Sequence, residues 1–341
     1  MKETLSIISA GPLPEDPAQA LPEEGGEAAE ASELRPFRIE AALHGQRLDR
    51  ALAVLVPEFS RSYLQQLVEA GAVQVQGRVV RKPSTAVRAG ESGSVELRPT
   101  PQSQAFRPEP MALEVVHEDA HLLVLDKPAG LVVHPAPGHW SGTLLNGLLA
   151  RDGAAARLPR AGIVHRLDRD TSGLMVVART REAMEALVRM IAAREVTRQY
   201  IALGHGRWSG PAARQVDAPI GRDPRNRLRM AVVDLRQHAG KPARTLIESL
   251  GGTDELCLVR CTLETGRTHQ IRVHMASIGH PLVGDEVYGG RPVDGLARQA
   301  LHAWQLAFVH PVTGEAMRWR RPPPADLAAL LRSRGLDYNR T

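Results

Sequence analysis

The sequence predicts an α+β protein of two domains joined by a proline-rich linker. Short apolar or alternating runs, which favour strands, outnumber the segments with helical periodicity. Few helices among many strands are typical of a largely antiparallel mixed sheet with flanking helices. The 341 residues suffice for two domains with sizeable cores, so no oligomer is required and we expect a monomer.

Charge is distributed unevenly along the chain. The net charge is +5, but residues 1–33 hold eight acidic residues against Lys2 alone, which gives them −7 and leaves +12 for the remainder. Arginine supplies most of the positive charge, and its guanidinium matches phosphate oxygens better than lysine does. The balance favours a polyanionic partner. A composition bias toward arginine and alanine would give the same excess.

The N-terminal residues 1–36 are rich in glutamate, proline, alanine and glycine, so we expect an acidic disordered tail. The tail either solubilises the protein or screens its basic body.

No apolar run approaches the roughly 20 residues of a membrane span, and no secretory signal pattern is present, so we expect a cytoplasmic protein with no membrane partner. Cys257 and Cys261 are expected to be buried, reduced thiols.

Residues 37–98 predict two helices followed by a hairpin. Apolar residues recur at helical spacing within 48–55. Ser60 has the character of an N-cap for a second helix, and Gly71 ends that helix. Residues 73–80 alternate and contain a glycine at the turn, which is typical of a hairpin.

This unit resembles the S4 RNA-binding domain through a match that runs from Arg47-Leu48-Asp49 to Lys82. The resemblance implies that the helices and the hairpin turn present basic residues to structured RNA. Such phosphate contacts fix position rather than sequence. Without the resemblance, the unit is a small α+β domain with a solvated basic face. The matching residues are Arg47, Arg50, Arg61, Arg78, Arg81 and Lys82.

Residues 99–110 contain four prolines, which block helix and ladder hydrogen bonds and predict a linker. A second domain follows over residues 111–332, with a C-terminal tail at 333–341. Its pattern predicts helices at 142–149 and 181–193 and strands at 114–120, 121–127, 131–133, 199–203, 244–247, 257–262 and 316–319.

A polar segment between apolar runs carries the chemistry of this second domain. It reads His165-Arg166-Leu167-Asp168-Arg169-Asp170-Thr171-Ser172-Gly173 and precedes the apolar run 174–178. A strand on each side, at 163–164 and 174–178, would hold the segment at a sheet edge, where a rigid frame fixes a reacting side chain. Asp168 is the candidate catalyst, and Asp170 has the character of a turn residue.

The same segment resembles, without a gap, the catalytic motif of pseudouridine synthases of the large-subunit ribosomal RNA type. The resemblance extends through Lys127-Pro128, His134-Pro135, Thr197-Arg198-Gln199-Tyr200, the runs 265–274 and 280–285, and Tyr288-Gly289. It implies a pseudouridine synthase catalytic domain that isomerises uridines in large-subunit RNA, free or in the assembling subunit, without a cofactor. Shorter segments resemble family members that modify the intersubunit stem-loop, namely 160–165, 230–232, 240–243 and 289–292.

The resemblance also implies residue roles. Asp168 acts at C1′, either as a nucleophile or by removing the C2′ proton, and both routes stay open. A buried carboxylate remains ionised only beside a cation, and the family pattern supplies Arg272. Tyr200 stacks on the uracil with its hydroxyl near C5, and Ile271 packs on the other side. Arg166 fills the stack that the extruded base vacates.

Other functions remain as alternatives. The same chemistry at other ribosomal or transfer RNA uridines would need the same residues. A non-catalytic RNA-binding assembly factor would share the basic surface. A glycoside hydrolase needs two carboxylates at a defined separation, and only Asp168 is a credible candidate. His269, His274 and His280 lack an accompanying carboxylate or thiolate set, so we expect no metal.

Overall fold

The structure is a computed structural model that describes residues 33–97, 105–136, 139–226 and 228–339. The chain divides into two compact units, Met1–Thr100 and Pro101–Thr341. None of the helices in these described ranges is long and apolar enough to cross a membrane. Residues 99–104 of the predicted linker lie outside the described residues.

The N-terminal unit combines an antiparallel sheet with two helices. Its strands and helices are, in chain order, β1 (Glu33–Arg38), α1 (Leu48–Leu55), α2 (Arg61–Glu69), β2 (Val73–Val75), β3 (Arg78–Val79) and β4 (Ser92–Leu97). The strands lie in the order β1-β4-β2-β3. The predicted succession of helix, helix and hairpin is confirmed.

Local sequence explains these boundaries. The Ser60 hydroxyl accepts a hydrogen bond from the Tyr63 amide (3.3 Å) and caps α2. Gln76 and Gly77 have positive φ angles of 50° and 73°, which suit the twist of a two-residue hairpin turn. The apolar faces of α1 and α2 share one core with Val73.

The predicted tail boundary at residue 36 is wrong, because β1 begins at Glu33. Residues 33–36 pair with β4 although Leu34 is 65% exposed. Backbone hydrogen bonds hold this edge strand in the sheet. Amino-acid composition indicates only whether a segment can fill a hydrophobic core, so it does not predict such a strand. Residues 1–32 of the predicted tail lie outside the described residues.

The C-terminal unit contains most of the strands. Its strands and helices are β5 (Glu114–Glu118), β6 (Leu122–Lys127), α3 (Leu144–Arg151), β7 (Ser172–Ala178), α4 (Arg181–Ala193), β8 (Thr197–His205), β9 (Ala213–Asp217), β10 (Ile220–Arg222), β11 (Met230–Val232), β12 (Gly240–Lys241), β13 (Arg244–Gly252), β14 (Leu256–Leu263), α5 (Gln270–Ser277), β15 (Leu301–Val309), β16 (Ala316–Arg320) and α6 (Ala325–Ser333).

One large mixed sheet dominates this unit. Over the described residues it has nine strands, ordered β5-β6-β7-β15-β8-β14-β13-β9 with β16 paired to β15. Among these strands β7 and β15 pair in parallel, and the other neighbouring pairs are antiparallel. Strands β10, β11 and β12 form a small separate sheet. The predicted α+β fold with a largely antiparallel mixed sheet is confirmed.

Side-chain alternation along the strands separates two cores. On β6, Leu123 faces the core that contains residues of α3 and α5, whereas its neighbour Val124 faces a second core packed under α4. Tyr200 and Leu167 belong to the first core. The candidate site therefore lies on the sheet face that carries α3 and α5.

Two predicted strands are wrong, since residues 131–133 and 163–164 lie in no strand. Carbonyls of the first run accept the amides of Leu144 and Leu145 at the start of α3. The second run makes one isolated bridge, to Val177. The sequence also does not predict β15, α5 or α6; α5 lacks an amphipathic pattern because its first six residues are all buried.

Candidate active site

The segment that carries Asp168 is a loop between two glycines that touch neighbouring backbone. Gly162 has φ +80°, and a Cβ there would overlap the carbonyl oxygen of Ala178. Gly173 has φ +115°, and a Cβ there would overlap the carbonyl oxygen of Ala303. Any other residue would collide with a strand and strain the backbone. Glycine at both positions therefore lets the loop lie directly on the sheet.

Hydrogen bonds to main-chain oxygens fix the loop between these glycines. The Lys127 Nζ atom, on a residue that is 1% exposed, donates to the carbonyls of Arg169 (2.9 Å) and Leu131 (2.9 Å). Burial lowers the pKa of Lys127 to about 8, an effect that the charge of Asp170 opposes. The Asp168 carbonyl accepts the amide of Thr171 (3.1 Å) and closes a tight turn. Asp170 lies within this turn, as the sequence predicts.

Asp168 and Arg272 form the predicted ion pair. Arg272 donates from Nη1 to Asp168 Oδ2 (3.1 Å), and from Nε and Nη2 to the two oxygens of Asp285 (2.7 and 2.8 Å). The Asp168, Arg272 and Asp285 side chains are 15%, 7% and 1% exposed. Burial alone would lower the pKa of Arg272, but hydrogen bonds and charge from Asp285 and Asp168 raise it above its ordinary value. Asp285 thus orients the cation that faces Asp168.

A histidine and a tyrosine approach the same pair. His269 Nε2 lies 3.9 Å from Asp168 Oδ1, and its Nδ1 lies 2.8 Å from the Tyr288 hydroxyl. Burial lowers the pKa of His269, against the charge of Asp168, so the imidazole is neutral near pH 7. Arg272 stacks over the Tyr288 ring at 5.0 Å from its centroid. His269 and Tyr288 therefore support the Asp168–Arg272 pair from one side.

The other predicted base contacts lie on neighbouring elements. Tyr200 projects from β8 and Ile271 from the first turn of α5, and both line a pocket with Asp168 and Arg272. Tyr200 is 5% exposed, and burial raises its pKa to about 12, which leaves it a neutral phenol. The structure thus brings Asp168, Tyr200, Ile271 and Arg272 together from segments that are distant in sequence.

An adjoining cleft of about 530 Å³ opens beside Asp168 and Tyr200. Arg166 is exposed at this cleft and is the predicted stacking residue. One acidic residue besides Asp168 lines the cleft within the described residues, Glu264, and it is paired with Arg194 and Arg244 (3.3 Å each). The cleft is therefore strongly basic. Its arginines are Arg160, Arg166, Arg194, Arg198 and Arg267.

In the N-terminal unit, the six predicted RNA-binding residues are all exposed. Arg47 and Arg61 donate to the buried Asp49 carboxylate at 3.0 and 2.7 Å, which fixes both guanidinium groups. Arg81 lies against Gly71, where a Cβ would come 2.7 Å from its Cζ atom. Half of the set, these three arginines, is therefore pre-oriented by its own unit.

Several site residues have no clear sequence signal. Asp285 follows Arg272 by 13 positions, a spacing that no regular element explains, although it ends a run quoted for the family resemblance. His269 and Arg198 lie in segments that carry the family resemblance. Only their three-dimensional surroundings distinguish them from residues with a structural role. A basic residue two positions before a tyrosine on one strand face is the one pattern that points to Arg198.

Comparison with known proteins finds matches to both units of the chain. A family model described as RNA pseudouridylate synthase matches residues 121–277, and an S4 domain model matches residues 46–92. A curated relative from Nitrosomonas europaea, ribosomal large subunit pseudouridine synthase D, is 49% identical over 299 residues, which are 85% of each chain. A protein of the same name from Neisseria meningitidis is 47% identical over 315 residues, 89% of this chain and 83% of that one.

A solved human structure, RNA pseudouridylate synthase domain containing 4, shares the fold with a TM-score of 0.51 and 24% identity, over 66% of this chain and 94% of that one. The curated relatives share far more of the sequence, over most of their own length. The chain therefore belongs to the RNA pseudouridylate synthase family and is a pseudouridine synthase, an isomerase with an N-terminal S4 domain.

Proposed function

We propose that this protein isomerises specific uridines to pseudouridine in large-subunit ribosomal RNA, either free or in the assembling subunit. Its curated relatives carry names that describe large-subunit enzymes. The observation that carries the proposal is the Asp168–Arg272 pair, which lies next to Tyr200 beside a cleft lined by five arginines. A basic cleft of this kind suits an RNA strand.

The reaction is balanced without a co-reactant. The bond from N1 to C1′ breaks, the uracil turns, and C5 joins C1′. C5 then loses one proton while N1 gains one. Asp168 either attacks C1′ as a nucleophile or removes the C2′ proton to give a glycal intermediate. In both routes its Oδ1 atom is available, because the hydrogen bond from Arg272 goes to Oδ2.

The neighbours of Asp168 set its state and hold the base. Arg272, fixed by Asp285, pairs with the partly buried Asp168 carboxylate and compensates its negative charge. Tyr200 stacks on the uracil with its neutral hydroxyl near C5, and Ile271 packs against the opposite side of the base. Together these groups bind the reacting base in one orientation.

Extrusion of the base precedes the chemistry, because a stacked uridine cannot reach Asp168. Arg166 is two residues from Asp168 and exposed, so its planar guanidinium fills the vacated position in the stack. The basic residues of the S4 domain contact phosphates and position the RNA: Arg47, Arg50, Arg61, Arg78, Arg81 and Lys82.

The sequence resemblance supports target uridines in the intersubunit stem-loop. We assign the protein to the bacterial cytoplasm, where large-subunit RNA is made, and we expect it to act as a monomer. Salt should weaken RNA binding steeply, because phosphate contacts release counterions. A flat salt dependence would contradict docking through the arginine surfaces.

Site-resolved pseudouridine mapping tests this proposal. A strain without the protein should lack pseudouridine in the stem-loop, and the wild-type gene, but not Asp168→Asn, should restore it. Loss of pseudouridine at other ribosomal or transfer RNA positions would move the target within the same chemistry. Normal modification without the protein, with assembly defects that Asp168→Asn fully rescues, would instead support an assembly factor.

A further inference from the structure

Among the residues that the structure describes, Arg198 is a buried cation without a counter-ion. The residue is 5% exposed, and its Nε atom is buried without a hydrogen-bond partner. Its guanidinium makes no hydrogen bond or ion pair with any residue in the described ranges. Arg272 is as deeply buried but gives three N–H groups to two carboxylates. Since a guanidinium stays protonated, Arg198 carries a buried charge that the described residues do not compensate.

The groups beside Arg198 do not neutralise this charge. Tyr200, two positions along β8 on the same strand face, is a phenol whose pKa burial raises to about 12. Burial lowers the pKa of His165 to about 3, and the charge of Arg198 adds to the effect, so this imidazole is also neutral. The carboxylate of Asp168 is engaged by Arg272. The described residues therefore supply no anion to Arg198, and a bound ligand can provide one.

Gly266 leaves the space that Arg198 occupies. A Cβ at Gly266 would lie 3.0 Å from Arg198 Nη1, so alanine there would require the guanidinium to shift by a few tenths of an ångström. Gly266 is not among the glycines with positive φ, so its backbone does not require glycine. Glycine at position 266 therefore leaves room for the Arg198 guanidinium at the cleft wall.

The cleft itself indicates which anion fits. RNA brings one phosphodiester per nucleotide, and the exposed Arg160, Arg166 and Arg194 can meet phosphates that stay outside the cleft. A group that enters the cleft with the extruded nucleotide can reach Arg198, which lines the cleft wall. We propose that Arg198 binds the phosphodiester next to the extruded uridine, through the planar fork that suits phosphate oxygens. This inference rests on the proposed function, because it requires an extruded uridine.

The contact has a consequence for base extrusion. Arg198 gains its counter-ion only when the uridine leaves the stack, so the contact stabilises the extruded conformation and not the stacked one. Arg198 is then a binding and positioning residue rather than a group that reacts. Its loss should weaken binding of a target RNA more than loss of an exposed arginine at the same cleft.

A coupling experiment tests the contact. The dissociation constant is measured for a stem-loop RNA in which one linkage, 5′ or 3′ of the target uridine, is a neutral methylphosphonate. The nucleotide before that linkage is 2′-deoxy, and the reference RNA carries the same sugar. We expect Arg198→Gln to weaken binding of the reference RNA about thirtyfold, and one methylphosphonate to weaken wild-type binding equally. The two changes combined should weaken binding no more than either change alone.

The matched control is Arg194→Gln, which removes an exposed arginine from the same cleft. Its effect should multiply with that of the methylphosphonate, because it contacts a different group. Arg198→Lys, which keeps the charge but loses the fork, should recover part of the binding and show that the variants fold. The proposal is overturned if the effects of Arg198→Gln and of the methylphosphonate multiply at both linkages. It is also overturned if the effect of Arg198→Gln is instead coupled to that of a 2-thio or 4-thio substitution in the uracil. If the unaltered enzyme forms no pseudouridine in the unmodified RNA, the proposed function fails, and the proposal fails with it.

Discussion

The same four residues, Arg-Leu-Asp-Arg, occur once in each unit of this protein, at 47–50 and at 166–169. In both copies the leucine is buried, at 0% and 4% exposure. The aspartates differ in their surroundings. Asp49 is 0% exposed and accepts hydrogen bonds on both oxygens, from Arg47, Arg61 and Gln65. Asp168 accepts one from the residues that the structure describes, namely Arg272.

The difference separates a structural carboxylate from a reactive one. Burial alone would raise the pKa of Asp49, but hydrogen bonds from Arg47, Gln65 and Arg61 hold it well below its ordinary value. Its lone pairs are used to connect α1 and α2. At Asp168 the Oδ1 atom accepts no hydrogen bond from the described residues, and His269 Nε2 lies 3.9 Å from it. One oxygen is therefore available to substrate, and Arg166 points to the cleft instead of folding back as Arg47 does.

The strongest test of this comparison removes the charge of Asp168. Asp168→Asn should lower the rate of pseudouridine formation at least about a thousandfold, because an amide is neither a nucleophile nor a base. Pseudouridine in a stem-loop RNA is measured by mass spectrometry, with RNA binding and thermal unfolding as controls that should change little. A variant that keeps a tenth of the activity would contradict the assignment.

The matching change in the other unit is Asp49→Asn. It should lower the free energy of unfolding of the N-terminal unit by about 3 kcal/mol, since five hydrogen bonds to a buried carboxylate are disturbed. The half-exposed guanidinium groups of Arg47 and Arg61 can return to water, which limits the loss. Hydrogen exchange should speed up across 48–69 and stay unchanged across 270–277. Equal effects on both segments would show that Asp49 has no local structural role.

Asp285→Asn tests the support of the reactive carboxylate. Without the second carboxylate, Arg272 loses its fixed orientation, and we expect kcat to fall about fiftyfold with KM nearly unchanged. Asp254→Asn, which breaks an ion pair whose aspartate is 89% exposed, is the control and should have little effect. A rise in KM alone would assign Asp285 to RNA binding instead.

Acid should distinguish the two units by stability. Burial lowers the pKa of His302, which bonds Ser172 at the end of the catalytic loop, to about 4. Because the unfolded chain binds this proton from about pH 6.5, the C-terminal unit should lose about 2 kcal/mol from His302 at pH 5. Asp49, with its lowered pKa, retains its contribution until the pH falls below about 4.

Hydrogen exchange at pH 7 and pH 5 measures this contrast. Opening free energies should fall for β15 and remain constant for α1, after correction for intrinsic exchange. His302→Gln should reduce the pH dependence in β15. An equal loss of protection in both units would show that the buried histidine does not control the acid response.

Much of the fold follows from local pattern. The helix predicted at 181–193 has the bounds that the structure shows, and Ser60 and Gly77 act as cap and turn residues as expected. The predictions that are wrong, strands at 131–133 and 163–164, fell on apolar runs whose partners are not neighbouring strands. The apolar pattern of a run indicates that its side chains are buried. It does not indicate which groups will hydrogen-bond to its backbone.

The sequence by itself determined the family motif, the basic balance of the body and the local elements, because these depend on residue type and short-range spacing. The tertiary structure alone distinguished Asp168 from Asp49 within the same four letters. It also placed Asp285 behind Arg272 and left Arg198 buried without a partner in the described part of the chain. These properties depend on which distant side chains fill the space around a group, and short-range spacing does not encode that arrangement.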